Sequence, residues 1–157
     1  MISMTRSTCS AAVAALSIGA LGAGVAVATN GSASASTGTT TMHLVAHQSQ
    51  EAFEDLGTTG PGLGDTVILT GRLTRDGTRV GHFHNVGVEV DAAAHLFQAS
   101  GTLRLRHGSL EFAGIVSQTP EFVLAITGGT GRYQGAAGQI TFDFPDQRQL
   151  LTVTLQS

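Results

Sequence analysis

Alternation, not a helical period, organises the chain from Met42 onward. In the run from Asp65 to Thr74, Val67, Leu69, Gly71 and Leu73 share one parity, while Thr66, Thr70, Arg72 and Thr74 share the other. That is the period of two expected of a strand with one buried face. Ile68 breaks the pattern. Asp76-Gly77 follows as a hairpin turn, because both residues tolerate positive φ, so the next strand must run antiparallel. Similar segments continue over 79–91, 96–106, 110–118, 122–127, 138–144 and 148–155, and 43–50 precedes them. These predict an all-β chain. Eight strands of this length suit an eight-stranded antiparallel β-barrel, since closure removes both exposed edges. A two-sheet sandwich has the same strand signals, so periodicity alone leaves both open. Residues 51–64, with Gly57, Gly60, Pro61, Gly62 and Gly64, form the one long loop, of a length often used as a lid.

The first 35 residues follow a different logic. Arg6 precedes an uncharged stretch from Ala11 to Ala28, and small residues follow. A basic start, an apolar run and a small-residue exit are the parts of a secretory signal peptide. Cleavage after Ala28 or Ala35 satisfies the small-x-small rule, and the second is preferred because it removes most of a Ser/Thr/Gly-rich stretch. The expected organisation is a signal peptide over 1–35, a flexible tail over 36–41 and a barrel domain over 42–157. The product is expected to be secreted, with no membrane attachment after cleavage. The rival, a retained membrane anchor, would be short and diluted by Gly and Ser.

Composition narrows the chemistry. All 8 basic residues are Arg, against 11 acids; losing Arg6 leaves 7 against 11, a formal charge of −4, which excludes a nucleic-acid partner. The single cysteine, Cys9, leaves with the signal, so disulfides and thiolate chemistry go with it. Charged residues make up 12% of the chain, about half the usual quarter, which argues against disorder. His82-Phe83-His84 sets two imidazoles on one strand face, and with Glu89 and His95 it resembles the first metal motif of cupins. In an unbroken strand, however, Glu89 falls on the opposite face, so the bland reading is a pair of half-exposed strand histidines. His43 and His47 make a weaker pair of the same kind. The glycine-dense stretch from Thr127 to Gly138 has neither the Lys-Ser/Thr ending nor the helix of a phosphate loop and reads as a hairpin. No Gly-x-Ser-x-Gly elbow is present.

That hairpin carries a resemblance. The run Phe122-Val123-Leu124-Ala125-Ile126-Thr127-Gly128-Gly129-Thr130-Gly131-Arg132-Tyr133-Gln134-Gly135-Ala136-Ala137-Gly138-Gln139 is similar to the signature of the allene oxide cyclase and dirigent protein superfamily. A second stretch agrees: Gly64-Asp65 opening a strand, then Leu69-Thr70, Asp76-Gly77 and Val80-Gly81. The resemblance spans about residues 64–155. It implies an eight-stranded barrel, often a homotrimer, with an apolar cavity at one end that confines a reactive small molecule and needs neither cofactor nor metal. It departs at three positions, where the family's first-strand carboxylate, asparagine and cysteine fall at Gln48, Gly71 and Gly87.

The first expectation is therefore a secreted barrel that binds a hydrophobic small molecule and steers its cyclisation, isomerisation or stereoselective coupling. The walls are expected from Val67, Leu69, Phe83, Phe97, Leu103, Phe122, Phe142 and Tyr133. Glu89, Asn85, Gln48 and Asp65 are the candidate catalytic groups, Glu89 because an inward carboxylate in an apolar barrel is poised as an acid or base. The alternative is a non-catalytic secreted barrel that carries or displays a ligand or packs as a structural unit. A cupin-like metal barrel is third.

Overall fold

The computed structural model describes residues 38–156. The expected signal segment and Cys9 lie outside the described residues. Eight strands run in chain order: β1 (Thr39–Glu54), β2 (Thr66–Arg75), β3 (Thr78–Asp91), β4 (Leu96–Leu105), β5 (Gly108–Val116), β6 (Glu121–Gly129), β7 (Ala137–Asp143) and β8 (Gln149–Gln156). Each pairs antiparallel with the next, and β8 pairs with β1, which closes the barrel and decides against the sandwich.

β1 makes that closure by pairing on both sides. Its first half, Thr39 to Ala46, lies against β8, and Val45 to Glu54 lies against β2. It is longer at both ends than the alternation over 43–50 predicts. Thr39 to Thr41, expected in a loose tail, bond to the end of β8, and Glu51 to Glu54, expected in the loop, continue the ladder opposite Leu69 to Thr66. Cross-strand pairing extends a strand beyond where its own side chains alternate in polarity.

Up-and-down connectivity gives the barrel two distinct ends. The hairpins β2–β3, β4–β5 and β6–β7 lie at one end, and the connections β1–β2, β3–β4, β5–β6 and β7–β8 lie at the other, called here the mouth. Near the hairpin end the lumen is filled. Leu44, Leu73, Leu103, Leu110, Ile140 and Val153 are buried there, with Phe83 and Phe112 above them. Two glycines make room for those rings: a methyl group at Gly71 would collide with the Phe83 ring and the His47 carbonyl oxygen, and one at Gly101 with the Phe112 ring. The exposed side of the sheet explains Ile68, which points outward and is 46% exposed.

At the mouth, the loop over 55–65 is built around one carboxylate. Asp65 is fully buried; its Oδ1 accepts the Leu56 N–H and its Oδ2 the Gly62 N–H, both at 2.9 Å. The base of the loop is tied to β3, with Glu89 N–H donating to the Asp65 carbonyl at 2.8 Å and Gly64 N–H donating to the Glu89 carbonyl at 2.9 Å. Both oxygens of one carboxylate thus hold the loop through backbone amides.

Two substitutions test this architecture. Gly71→Ala is expected to cost about 1–3 kcal/mol, the usual penalty of overpacking a close-packed interior. Gly128→Ala, with open space around its Cβ position, should stay within about 0.5 kcal/mol. Equal denaturation midpoints for the two would contradict the packing described. Asp65→Asn removes one acceptor and the charge, a loss of about 1.5–3 kcal/mol for hydrogen bonds to an ionised group. Hydrogen exchange should speed up at the Leu56 and Gly62 amides while core amides such as Leu103 stay protected.

Candidate functional site

The filled half ends where the inward side chains become small. Gly87 and Ala99 face one another across β3 and β4, and above Phe83 and Phe112 a cavity of about 230 Å³ opens towards the mouth. That is about half again the ~150 Å³ of an apolar cavity that holds benzene. Val67, Leu69, Phe97, Val116 and Leu124 line its sides. A ladder of rings climbs one wall: Phe112 and Phe142 at 5.5 Å, Phe142 stacked on Phe122 at 4.9 Å, and Phe122 against Phe144 at 5.8 Å. The wall's polar side chains are three amides, Gln48, Asn85 and Gln149. Such a site can grip a flat apolar body over its faces and orient one polar group, because each amide both donates and accepts.

Of the residues singled out from the sequence, Val67, Leu69, Phe97, Phe122 and Phe142 are brought together on this wall, with Gln48 and Asn85. Phe83 and Leu103 are not on it. Both lie in the filled half, Phe83 over Gly71 and Leu103 fully buried beside it. Tyr133 belongs to the short helix Gly131–Tyr133 between β6 and β7, at the hairpin end. Asp65 is also off the wall, since both its oxygens serve the loop. Phe144 and Gln149, missed by the sequence reading, flank the turn between β7 and β8, where no alternation marks a side.

Glu89 follows the inward parity of Asn85 and Gly87 and is 3% exposed. Its Oε1 makes no hydrogen bond and lies 3.4 Å from the Nδ1 of His95, within ion-pair reach. Its backbone ties to the base of the β1–β2 loop, and its side chain is not among those lining the cavity. His82 and His84, by contrast, are both exposed on the outer face, so the cupin-like grouping does not converge; among the described residues no cluster of three His, Cys, Asp or Glu could hold a metal.

A further carboxylate was hidden by an irregularity. The β1–β2 register shifts between Gln48 and Gln50, leaving Ser49 as a bulge. A bulge resets the alternation, so beyond it odd residues share a face with Leu69 and Val67. Glu51 is paired with Leu69, and its Oε2 accepts a 2.8 Å hydrogen bond from the Gln48 Nε2. The amide at the family's carboxylate position therefore holds a carboxylate on the rim, one hydrogen bond from the cavity. In an unbroken strand Glu51 would face outward.

The electrostatics of this end are one-sided. Glu51, Glu54, Asp55 and Asp65 surround the first mouth connection, Glu89 and Asp91 the second, Glu121 the third, and Asp143 and Asp146 the fourth, with Arg148 as the single guanidinium. Nine of the 11 carboxylates are thus at the mouth.

Comparison with known proteins finds the same barrel in several settings. A structure of pyocyanin demethylase superimposes with a TM-score of 0.68 at 28% sequence identity, over 74% of this chain and 99% of that one. The Diels-Alderase AbmU from Streptomyces koyangensis gives 0.61 at 17% identity, over 80% of this chain and 71% of that one. A pterocarpan synthase dirigent protein gives 0.59 at 18% identity, over 76% and 94%. No curated protein matches the sequence. The glycine-rich part of the stretch that carried the resemblance lies at the hairpin end, where Arg132 N–H donates to the His107 carbonyl and Thr130 N–H to the Ser109 carbonyl, both at 2.9 Å, joining two hairpins. The closed eight-stranded ladder, the joined hairpins and the match of residues 39–155 to the allene oxide cyclase barrel like domain agree, and the chain belongs to that family.

Proposed function

We propose that this barrel binds an apolar, ring-bearing small molecule in the mouth cavity and steers its cyclisation, isomerisation or stereoselective coupling by confinement. The observation that carries the reading is the composition of the wall: aromatic and aliphatic faces with three amides as the only fixed polar contacts. Confinement of a reactive conformer lowers a barrier without a strong acid or base at the reacting atoms. The ring ladder fixes the plane of the guest, and Asn85 and Gln48 polarise one of its bonds, with Glu51 orienting the Gln48 amide. The names of its structural neighbours, a demethylase, a Diels-Alderase and a dirigent protein, denote different transformations on one scaffold, which fits a site defined by shape.

The non-catalytic reading has one observation in its favour. No ionisable side chain lies on the wall itself. A carrier needs only the apolar faces.

We further propose export and assembly: residues 1–35 as a secretion signal, supported by their basic, apolar and small-residue order, and a homotrimer, supported by exposed Ile115 and Val123 on the outer faces of β5 and β6. Light scattering on protein recovered from culture medium, with N-terminal sequencing, tests both. A trimeric mass and a chain starting at Ser36 or Thr29 are expected; a monomer, or an intact Met1, would remove the respective proposal.

The cavity itself is tested by filling it. Ala99→Leu should lower the affinity for quinoline by about tenfold or more, equivalent to 1.4 kcal/mol, while the fold persists. Unchanged affinity would place the ligand elsewhere. Asn85→Ala separates the two readings: a catalyst loses turnover of a converted substrate and keeps probe affinity, whereas a carrier shows no turnover to lose.

A further inference from the structure

The charges of this barrel are sorted by end. Against the nine carboxylates at the mouth, the hairpin end carries Arg72, Arg75, Arg79, Arg104, Arg106 and Arg132, with Asp76 the carboxylate at its turns. Glu111, on the outer wall, is engaged by Thr102 and Ser109. The cavity lies towards the acidic end.

We propose that the guest of the cavity is a cation: a flat aromatic molecule carrying a permanent or readily acquired positive charge. This rests on the cavity being the binding site and adds the class of molecule it selects. Three observations converge. A recessed opening rimmed by one sign of charge over low-dielectric walls focuses the field and concentrates counter-charged ligands. Two of the rim carboxylates take the inward side, Glu51 through its bond to Gln48 and Glu89 by strand parity. Glu89 is the more telling, because its side chain is almost wholly buried and Oε1 receives no hydrogen bond, with only the His95 imidazole 3.4 Å away. A buried carboxylate oxygen without a donor is costly, and a cation nearby would offset that cost. The third observation is the wall. Phe97, Phe122, Phe142 and Phe144 contribute four aromatic rings to it, and the face of such a ring attracts a cation. An anionic guest would meet the same field with the opposite sign and no guanidinium on the wall to receive it.

Three bicyclic probes of nearly equal size decide the matter: quinoline, N-methylquinolinium and naphthalenesulfonate, titrated into the full-length protein by calorimetry or fluorescence. At low salt N-methylquinolinium should bind roughly tenfold tighter than quinoline, the lower end of what focused fields achieve, and naphthalenesulfonate weakest. The preference should shrink as ionic strength rises from about 0.01 M to about 0.15 M, where the screening length falls from about 30 Å to about 8 Å. Glu51→Gln and Glu89→Gln should each lower the ratio of N-methylquinolinium affinity to quinoline affinity. Quinoline binding as tightly as the cation at low salt would overturn the proposal and leave the cavity reading intact. Failure of all three probes would overturn both. Should Glu89→Gln fail to fold, the salt series on the unaltered protein still decides.

Discussion

Everything in this structure depends on β1 being shared. A barrel of eight antiparallel strands closes only if its first strand hydrogen-bonds on both edges, and β1 does so with β8 over its first half and with β2 over its second. The two partnerships barely overlap, at Val45 and Ala46. Past Ala46 the strand has one neighbour, and three residues later it bulges. Freed from β8, the upper half of β1 can take the local twist that a bulge introduces. The closure requirement and the rim carboxylate Glu51 are therefore consequences of the same strand.

An eight-stranded barrel encloses just enough space for side chains to fill it. A cavity exists only where the inward positions are made small, and here size changes along the axis. Towards the hairpin end the inward set is Leu, Ile, Val and two Phe rings laid over glycines; towards the mouth it includes Gly87 and Ala99. Gly71 and Gly87 differ in what their missing side chains do. The first yields its space to Phe83, so an asparagine there would have nowhere to go. At the second a Cβ would come within 3.2 Å of Val67, and the space beyond belongs to the cavity. Filling the lower half rigidly is what gives the upper half a floor.

How much of this could be read from the chain follows from what each feature depends on. Strand alternation is local, so the eight strands and the inward parity of Val67, Leu69, Asn85, Phe97 and Phe122 were legible. The family signature was legible too; its Phe122 and Leu124 line the cavity, while its glycine-rich part joins hairpins at the far end. Position along the barrel axis is not local: Leu103 and Phe97 have the same parity on one strand, and only the register with β3 and β5 shows that one is floor and the other wall. Asp65 shows another limit. A buried acid beside an opening looks like chemistry until its two amide donors, nine and three residues back, are seen. Glu51 was hidden because one extra residue, Ser49, inverts the parity of everything after it.

Net charge hid the most. A formal −4 for residues 36–157 is modest, and it is the residue of two large and opposite populations separated by the length of a strand. Up-and-down topology makes the separation legible once the fold is known, because every second connection returns to the same end. Acids near Glu54, Asp91, Glu121 and Asp143, scattered across 90 positions of sequence, thereby become neighbours around one opening. Such crowding works against stability, since like charges around a rim repel, and folding alone gives no reason to collect them where the interior is open. Packing alone would be served as well by spreading them over both ends. Their concentration at the open end, with the arginines at the filled one, is the field that the proposed cationic guest would meet on its approach.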